Sequence, residues 1–331
     1  MAAGFLYKRI TERRPTTTGT LAEPNGAPEP RFALQGTVNW MHALALVAMD
    51  ERIDWPRLQR GMYGQVQRFS GITDKATNTV FEQLLMSLHH LSALKAMATS
   101  GRDQDLARVA VMTWYYGIYC AASAMIAAKD GSQQQEHSST ANQWDRQIAS
   151  AGLAVSPFDF RLTTLVKRDA ESEIATLRNG NSFKLSNRPD CVANARGACI
   201  SYLSGTRDYY EWQICEDLKR RELSQRGLTD FRTRQAQGLR DSRLQGKSLG
   251  FLHQAFRYRG KANYRDALFL TYEVQVGTVI DGFISDMETV LKAFVVMAGS
   301  FCAKRVNHWQ EFMADLNAHL KLAVMPNDVW T

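Results

Sequence analysis

Apolar residues dominate one uncharged stretch of the chain, Val109 to Ala128, with the sequence VAVMTWYYGIYCAASAMIAA. Four small residues recur within it at steps of three or four: Gly117, Ala121, Ala124 and Ala128. On a helix these residues form one stripe that a second backbone can approach closely. The other faces are apolar too, as in a helix at the centre of a bundle or in a membrane. The abundance of Ala and Tyr, and the charges just before the stretch, favour the bundle.

Periodic apolar positions on both sides of this stretch predict further helices. Alternating Val, Ile and Thr residues are rare and the chain has only eight prolines, so we predict an all-α protein. The expected helices begin after Gly36 and include Asn78 to Met97, Phe158 to Leu177, Ala193 to Glu222, Asn263 to Ala303 with a break at Gly277 or Gly282, and Asn307 to Leu322.

The pattern divides the chain into three regions. Residues 1–35 are expected to be a flexible or extended arm, because Pro24, Pro28 and Pro30 interrupt any periodicity. Residues 36–218 are expected to form a helical bundle. Residues 219–331 are expected to be a basic helical region that packs on this bundle.

Composition excludes several classes of protein. At 45% hydrophobic residues over 331 positions, the chain is typical of soluble globular proteins. Its five cysteines form no CxxC pair and lack histidines at ligand spacing, which favours a reducing compartment and no metal site. The N-terminus has no apolar secretory segment, so we expect a cytoplasmic protein that does not enter the membrane. Glycine-rich phosphate loops and hydrolase motifs are missing from the sequence, so we expect no cofactor.

The net charge of +7 is concentrated in one segment. Residues 219–265 contain thirteen Lys and Arg residues but only three acidic residues, Glu222, Asp230 and Asp241. Such a cationic segment on a nearly neutral body is typical of a protein that binds a polyanion, most often nucleic acid. We expect RNA to be the partner. The alternative is a solvated helical face without a partner.

The most concentrated part of this segment is FRYRGKANYRDALF, Phe256 to Phe269. Its cations alternate with Tyr258 and Tyr264, which offers cations for phosphates and rings that can stack on bases. The candidate nucleic-acid-binding residues are Arg257, Arg259, Lys261, Tyr264 and Arg265. The structural alternative is that these arginines pair with acids elsewhere in the bundle.

The stretch from Arg108 to Trp144 resembles the HEPN superfamily of prokaryotic helical bundles. Members often show a helix with Tyr-Tyr-x-x-x-x-Ala-x-x-Ala, a glycine turn, and a His-Ser pair near the start of the next helix. The matching residues are Tyr115, Tyr116, Ala121, Ala124, Gly131, His137 and Ser138, followed later by an Arg-Asn pair at Arg178 and Asn179. The resemblance covers about residues 80 to 185. It implies a HEPN-like helical bundle, extended here by further helices at both ends.

The resemblance also implies a catalytic site. In active HEPN ribonucleases the arginine is followed, after four to six residues, by a histidine, and two copies of the motif meet across a dimer. An imidazole can move the ribose 2′-hydroxyl proton and a guanidinium can stabilise the phosphate, without a metal. This chain has Phe183, Lys184 and Leu185 at the spacings where the histidine is expected. The candidate catalytic residues are therefore Arg178, Asn179, Lys184 and His137.

Each candidate has a structural alternative. Arg178 and Asn179 fit a helix C-terminal cap, in which the arginine faces the negative end of the dipole and the asparagine takes the left-handed conformation. His137 fits a turn residue beside a capping serine. Lys184 is protonated near neutral pH unless it is strongly buried, so it suits phosphate binding better than proton abstraction.

Two functions remain open on this basis. The first is an RNA-directed HEPN-like protein, either an RNA-binding protein or a diverged metal-independent ribonuclease, of a prokaryotic defence or toxin-type system. That system assignment is what the resemblance implies. The second is a catalytically silent structural or adaptor subunit of a larger protein or nucleoprotein assembly. In either case we expect a homodimer or a subunit of a larger complex.

Overall fold

The computed structural model describes residues 30–260 and 280–331, with side chains from residue 36 onward. The described residues form helices and no strand, apart from one antiparallel bridge between Leu162 and Leu249. The all-α prediction is therefore confirmed. The helices are α1 (Pro30–Asp50), α2 (Trp55–Arg60), α3 (Asp74–Thr99), α4 (Asp103–Asp130), α5 (His137–Trp144), α6 (Lys167–Arg178), α7 (Val192–Leu218), α8 (Arg234–Gln245), α9 (Phe251–Gly260), α10 (Phe283–Arg305) and α11 (Trp309–His319). Single π-helical turns continue α5 at Asp145–Ala149 and α7 at Lys219–Leu223, and 3₁₀ turns lie at Ser224–Arg226 and Pro326–Asp328.

Helix α4 lies at the centre of the bundle, as the apolar pattern predicts. Asp103 and Asp105 occupy its first turn, where the helix dipole favours acids. Gly131 ends it in the left-handed conformation, with φ +81°, and donates its N–H to Ala127 O at 2.8 Å. By length and composition α4 could cross a membrane, but 78% of its most apolar window is buried inside the protein.

The small-residue stripe of α4 receives another helix, α10. A Cβ atom on Gly117 would lie 2.6 Å from Leu291 Cδ2 and 3.1 Å from His90 Cβ, so both α10 and α3 approach this glycine so closely that a larger residue would force its neighbours to shift. Ser87 on α3 also donates its hydroxyl to Gly117 O at 3.0 Å. The predicted close approach along this stripe is confirmed.

The C-terminal helices contribute to the same core as the N-terminal ones. One continuous cluster of buried apolar residues extends along the sequence from Val38 to Trp330. Helix α10 begins at Phe283, and Gly282, one of the two predicted break positions, is its N-terminal cap residue with φ +81°. The part of the predicted helix before residue 280, including Gly277, lies outside the described residues. Trp330 is buried and donates its indole N–H to Val295 O on α10 at 3.0 Å.

Two expected helix boundaries are wrong. Helix α1 begins at Pro30, so Gly36 lies inside it and the predicted arm loses its last residues to a helix; proline at a first helical position needs no N–H partner. Helix α6 begins only at Lys167, not near Phe158. In the segment between Phe158 and Lys167, Leu162 exchanges two backbone hydrogen bonds with Leu249, at 2.8 and 2.9 Å. This bridge holds the chain extended, so its apolar residues are buried by tertiary contacts and not by a helical face.

Candidate functional site

His137 is the first residue of α5 and lies against the centre of α4. Its Nδ1 atom is 2.9 Å from the hydroxyl of Tyr115, and its Nε2 atom is 3.4 Å from the guanidinium of Arg259 on α9. The short connection from Gly131 to α5 returns the chain beside α4, which places the histidine over that helix. The structure thus joins a predicted catalytic residue and a predicted nucleic-acid-binding residue, 122 positions apart.

Aromatic rings surround this pair. The ring of His137 stacks on Phe256 at 5.7 Å and meets the edge of Tyr119 at 4.6 Å, and it also contacts Tyr115 and Tyr116. We call this cluster the His137–Arg259 site. It consists of His137, Arg259 and their four aromatic neighbours, Tyr115, Tyr116, Tyr119 and Phe256. Except for buried Tyr115, its side chains are half-buried and reach solvent.

The guanidinium of Arg259 lies over three of these rings. Its central carbon is 5.2 Å from the centroid of Tyr115, 5.8 Å from Tyr116 and 5.7 Å from Phe256. Such cation–π contacts hold a cation without neutralising its charge. The Nε atom of Arg259 is buried and has no hydrogen-bond acceptor among the described residues. Within the described residues, the site therefore keeps a positive charge with one N–H donor that has no acceptor.

Helix α9 is fixed in place by Tyr258, which is fully buried. Its hydroxyl donates to Thr37 O on α1 at 3.1 Å, and its ring contacts Trp40 and Trp114. The expectation that Tyr258 offers a ring for base stacking is therefore wrong: residues adjacent on a helix point about 100° apart, so Tyr258 enters the core while Arg259 turns towards α4.

The environment keeps His137 neutral. Burial and the neighbouring charge of Arg259 lower the pKa of the imidazole below its ordinary value of 6.5. Burial raises the pKa of the Tyr115 phenol above its usual range, so this hydroxyl stays protonated. A neutral imidazole beside a fixed cation can accept a proton from a group that the cation brings close.

The Arg178–Asn179 pair lies elsewhere and caps α6. Asn179 has φ +44° and donates its N–H to Ala175 O and Thr176 O, while Arg178 donates to the carbonyls of Asn181 and Phe183 at 3.1 and 3.3 Å. The geometry is that of the structural alternative, a helix C-terminal cap. Lys184 follows in the same loop and is exposed, so it lacks the burial that a lysine base needs.

Arg257 faces the opposite side of α9 from Arg259. It donates to the Thr206 hydroxyl at 2.8 Å and lies 4.8 Å from the ring centroid of Tyr209, both on α7. The guanidinium thus ties α9 to α7. The other candidates of the predicted nucleic-acid contact, Lys261, Tyr264 and Arg265, lie outside the described residues.

Many cations of the basic segment 219–265 are paired with acids. The pairs are Lys219–Glu216, Arg220–Asp217, Arg221–Asp217, Arg232–Asp230, Arg240–Asp241 and Arg243–Glu222. Two of these acids, Glu216 and Asp217, come just before the segment, so the sequence count overstates its free charge. Surface pairs of this kind are weak, about 0–1 kcal/mol, and a polyanion can displace them.

Sequence reasoning identified His137 and Arg259 separately but did not join them. It missed the roles of Tyr119 and Phe256, whose spacing indicates only helical packing. Tyr115 was named only as part of the HEPN-like pattern. The usable signal was the coincidence of a histidine at a helix start with three tyrosines on the preceding helix.

Comparison of the chain with protein-family models, with curated proteins and with solved structures finds no match. The resemblance to HEPN proteins therefore depends on the residues quoted above alone.

Proposed function

We propose that the protein is RNA-directed and that it binds RNA at the His137–Arg259 site. The observation that supports this is the pairing of a neutral imidazole with an arginine whose buried Nε–H has no acceptor among the described residues. Arginine binds phosphate oxygens through several N–H groups, and the half-buried rings around it provide surfaces for bases. The HEPN resemblance supports RNA as the nucleic acid, and it alone supports the assignment to a prokaryotic defence or toxin-type system.

The same geometry supports metal-independent cleavage. With a phosphodiester on Arg259, Nε2 of His137 takes the proton of the ribose 2′-hydroxyl. The 2′-oxygen attacks phosphorus, the bond to the 5′-oxygen breaks, and that oxygen takes a proton from a water molecule, which takes the proton of the imidazolium in turn and so restores neutral His137. The products are a 2′,3′-cyclic phosphate and a 5′-hydroxyl end. Arg259 stabilises the negative charge that builds up on the phosphate oxygens.

The rival function is a catalytically silent structural or adaptor subunit. Two observations favour it: Arg178 and Asn179 act as a helix cap, and six cations of segment 219–265 are ion-paired. In that case Arg259 only fills its aromatic surroundings, and it joins α9 to α4.

The test compares Arg259→Gln with Arg257→Gln on fluorescent single-stranded RNA, in buffer with a metal chelator. Both variants remove one cation from α9, but only the first alters the site. We expect Arg259→Gln to weaken binding about tenfold and to reduce the salt dependence by about one charge. Equal effects of the two substitutions, or none, would contradict this proposal.

A second experiment separates cleavage from binding. His137→Gln keeps the size and polarity of the side chain but removes the base. We expect it to bind RNA as the parent does and to cleave it at least about a hundredfold more slowly. Binding by the parent without any cleavage would favour the structural or adaptor function.

A further inference from the structure

The hydroxyl of Tyr115 has an unusual position, because it is almost fully buried and its hydrogen bond goes to His137. The distance from this oxygen to Nδ1 is 2.9 Å, and the side chain is 2% exposed. On the other side of the ring, Nε2 is 3.4 Å from the guanidinium of Arg259. Both ring nitrogens thus have a defined neighbour.

These neighbours select one of the two neutral forms of the imidazole. A guanidinium has only N–H donors, so the nitrogen that faces Arg259 must carry the lone pair. The hydrogen is then on Nδ1 and points to Tyr115, whose oxygen accepts it. The opposite form would place an N–H against the N–H groups of Arg259.

We propose that Tyr115 is a positioning residue, which holds His137 with its hydrogen on Nδ1 and so keeps the lone pair of Nε2 directed towards Arg259, where it can accept a proton from a bound substrate. This inference rests on the proposed function only for its consequence in RNA cleavage. The arrangement of the histidine is a property of the protein itself.

The other groups that face His137 do not compete for this role. From α4, Tyr116 and Tyr119 meet the ring by their aromatic surfaces, and from α9 Phe256 stacks on it. Among the described residues, Arg259 is the charged group that faces it across the site, and Glu136 precedes it with an exposed side chain. His90 lies behind Tyr116, which it stacks on at 6.2 Å.

The arrangement has a chemical consequence. A histidine held in this form presents its basic nitrogen where Arg259 would bring a phosphodiester, so proton removal needs no ring flip. Its charge after protonation lies next to Arg259, which favours release of the proton in the following step. Loss of the Tyr115 hydroxyl should therefore affect turnover more than RNA affinity.

The experiment compares Tyr115→Phe with Tyr116→Phe in ¹⁵N-labelled protein. Both substitutions remove one hydroxyl from a ring that contacts His137, but of these two hydroxyls that of Tyr115 is the one hydrogen-bonded to the imidazole. The ¹⁵N shifts of the imidazole report which nitrogen carries the hydrogen. We expect a protonated Nδ1 and an unprotonated Nε2 in the parent and in Tyr116→Phe, and a mixture of the two neutral forms in Tyr115→Phe, because the Nδ1 hydrogen then loses its acceptor while Arg259 still disfavours a hydrogen on Nε2. Cleavage by Tyr115→Phe should fall roughly ten- to hundredfold, with RNA affinity retained.

The outcomes keep the two proposals apart. A parent spectrum with hydrogen on Nε2, or identical spectra of Tyr115→Phe and Tyr116→Phe, would overturn the positioning role. A parent that shows the expected spectrum but neither binds nor cleaves RNA would leave that role intact and refute the proposed function. If Tyr115→Phe fails to fold, the parent spectrum alone decides.

Discussion

His253 gives the protein a predictable loss of stability in mild acid. This residue is 7% exposed and lies in the first turn of α9, facing α5. Its Nδ1 accepts the Gly250 N–H at 3.1 Å, and its Nε2–H donates to Asn142 Oδ1 at 3.0 Å. The charged groups that act on it are the nearby ion pair of Asp145 and Arg161, and Lys247.

Burial is the main cause that lowers the pKa of His253, from the ordinary 6.5 to about 4; Asp145 partly opposes this, while Arg161 and Lys247 add to it. Between pH 6.5 and pH 4, the imidazole of His253 is therefore protonated in the unfolded chain but neutral in the folded protein. The contribution of His253 to the free energy of unfolding is fully present above pH 6.5 and is lost as the pH drops towards 4. One pKa unit corresponds to about 1.4 kcal/mol, so the full loss is about 3 kcal/mol and the part between pH 7 and pH 5 is about 2 kcal/mol.

The assay is urea denaturation of the parent and of His253→Gln at pH 7 and pH 5. Glutamine keeps an acceptor and a donor but does not titrate, and the other titrating groups are common to both proteins. We expect the free energy of unfolding of the parent to fall by about 2 kcal/mol more than that of the variant. Equal losses in the two proteins would show that His253 does not resist protonation in the folded state, and the reasoning would be wrong.

Three further substitutions test the packing. Gly117→Ala should lower the free energy of unfolding by about 1–3 kcal/mol, because the new methyl group meets Leu291 at 2.6 Å. Gly205→Ala on α7, where nothing lies within 4 Å, should instead raise it by about 0.5–1 kcal/mol. Thermal unfolding measures both variants, and midpoint temperatures that change in the same direction would contradict this difference in packing. Asp145→Asn should cost about 3–5 kcal/mol, since this 1% exposed carboxylate makes two bonds to Arg161, at 3.1 and 2.8 Å. Chemical denaturation measures it, and a loss below 1 kcal/mol would refute a buried pair.

The sequence predicted the fold better than the site. Helix α4 and its small-residue stripe follow from apolar periodicity, which reports directly on burial. The extended conformation of the segment before α6 does not follow from apolar periodicity. Leu162 pairs with the backbone of Leu249, 87 positions away, and no local pattern indicates this pairing. The free charge of the basic segment was overestimated for a similar reason: Glu216 and Asp217 lie before its first residue but pair with its Lys219, Arg220 and Arg221. His137 and Arg259 meet only through the packing of α5 and α9, so the sequence named both without joining them.

The entry of α10 onto the stripe of α4 limits how the chain can reach its native state. The helices up to α7 are synthesised first, yet the groove around Gly117 has no occupant until Leu291 has been made. A ribosome-bound chain, or a fragment that ends at residue 218, would expose this apolar surface to water. We therefore expect such a fragment to aggregate or to bind chaperones, and to become soluble when residues 280–331 are supplied as a separate peptide.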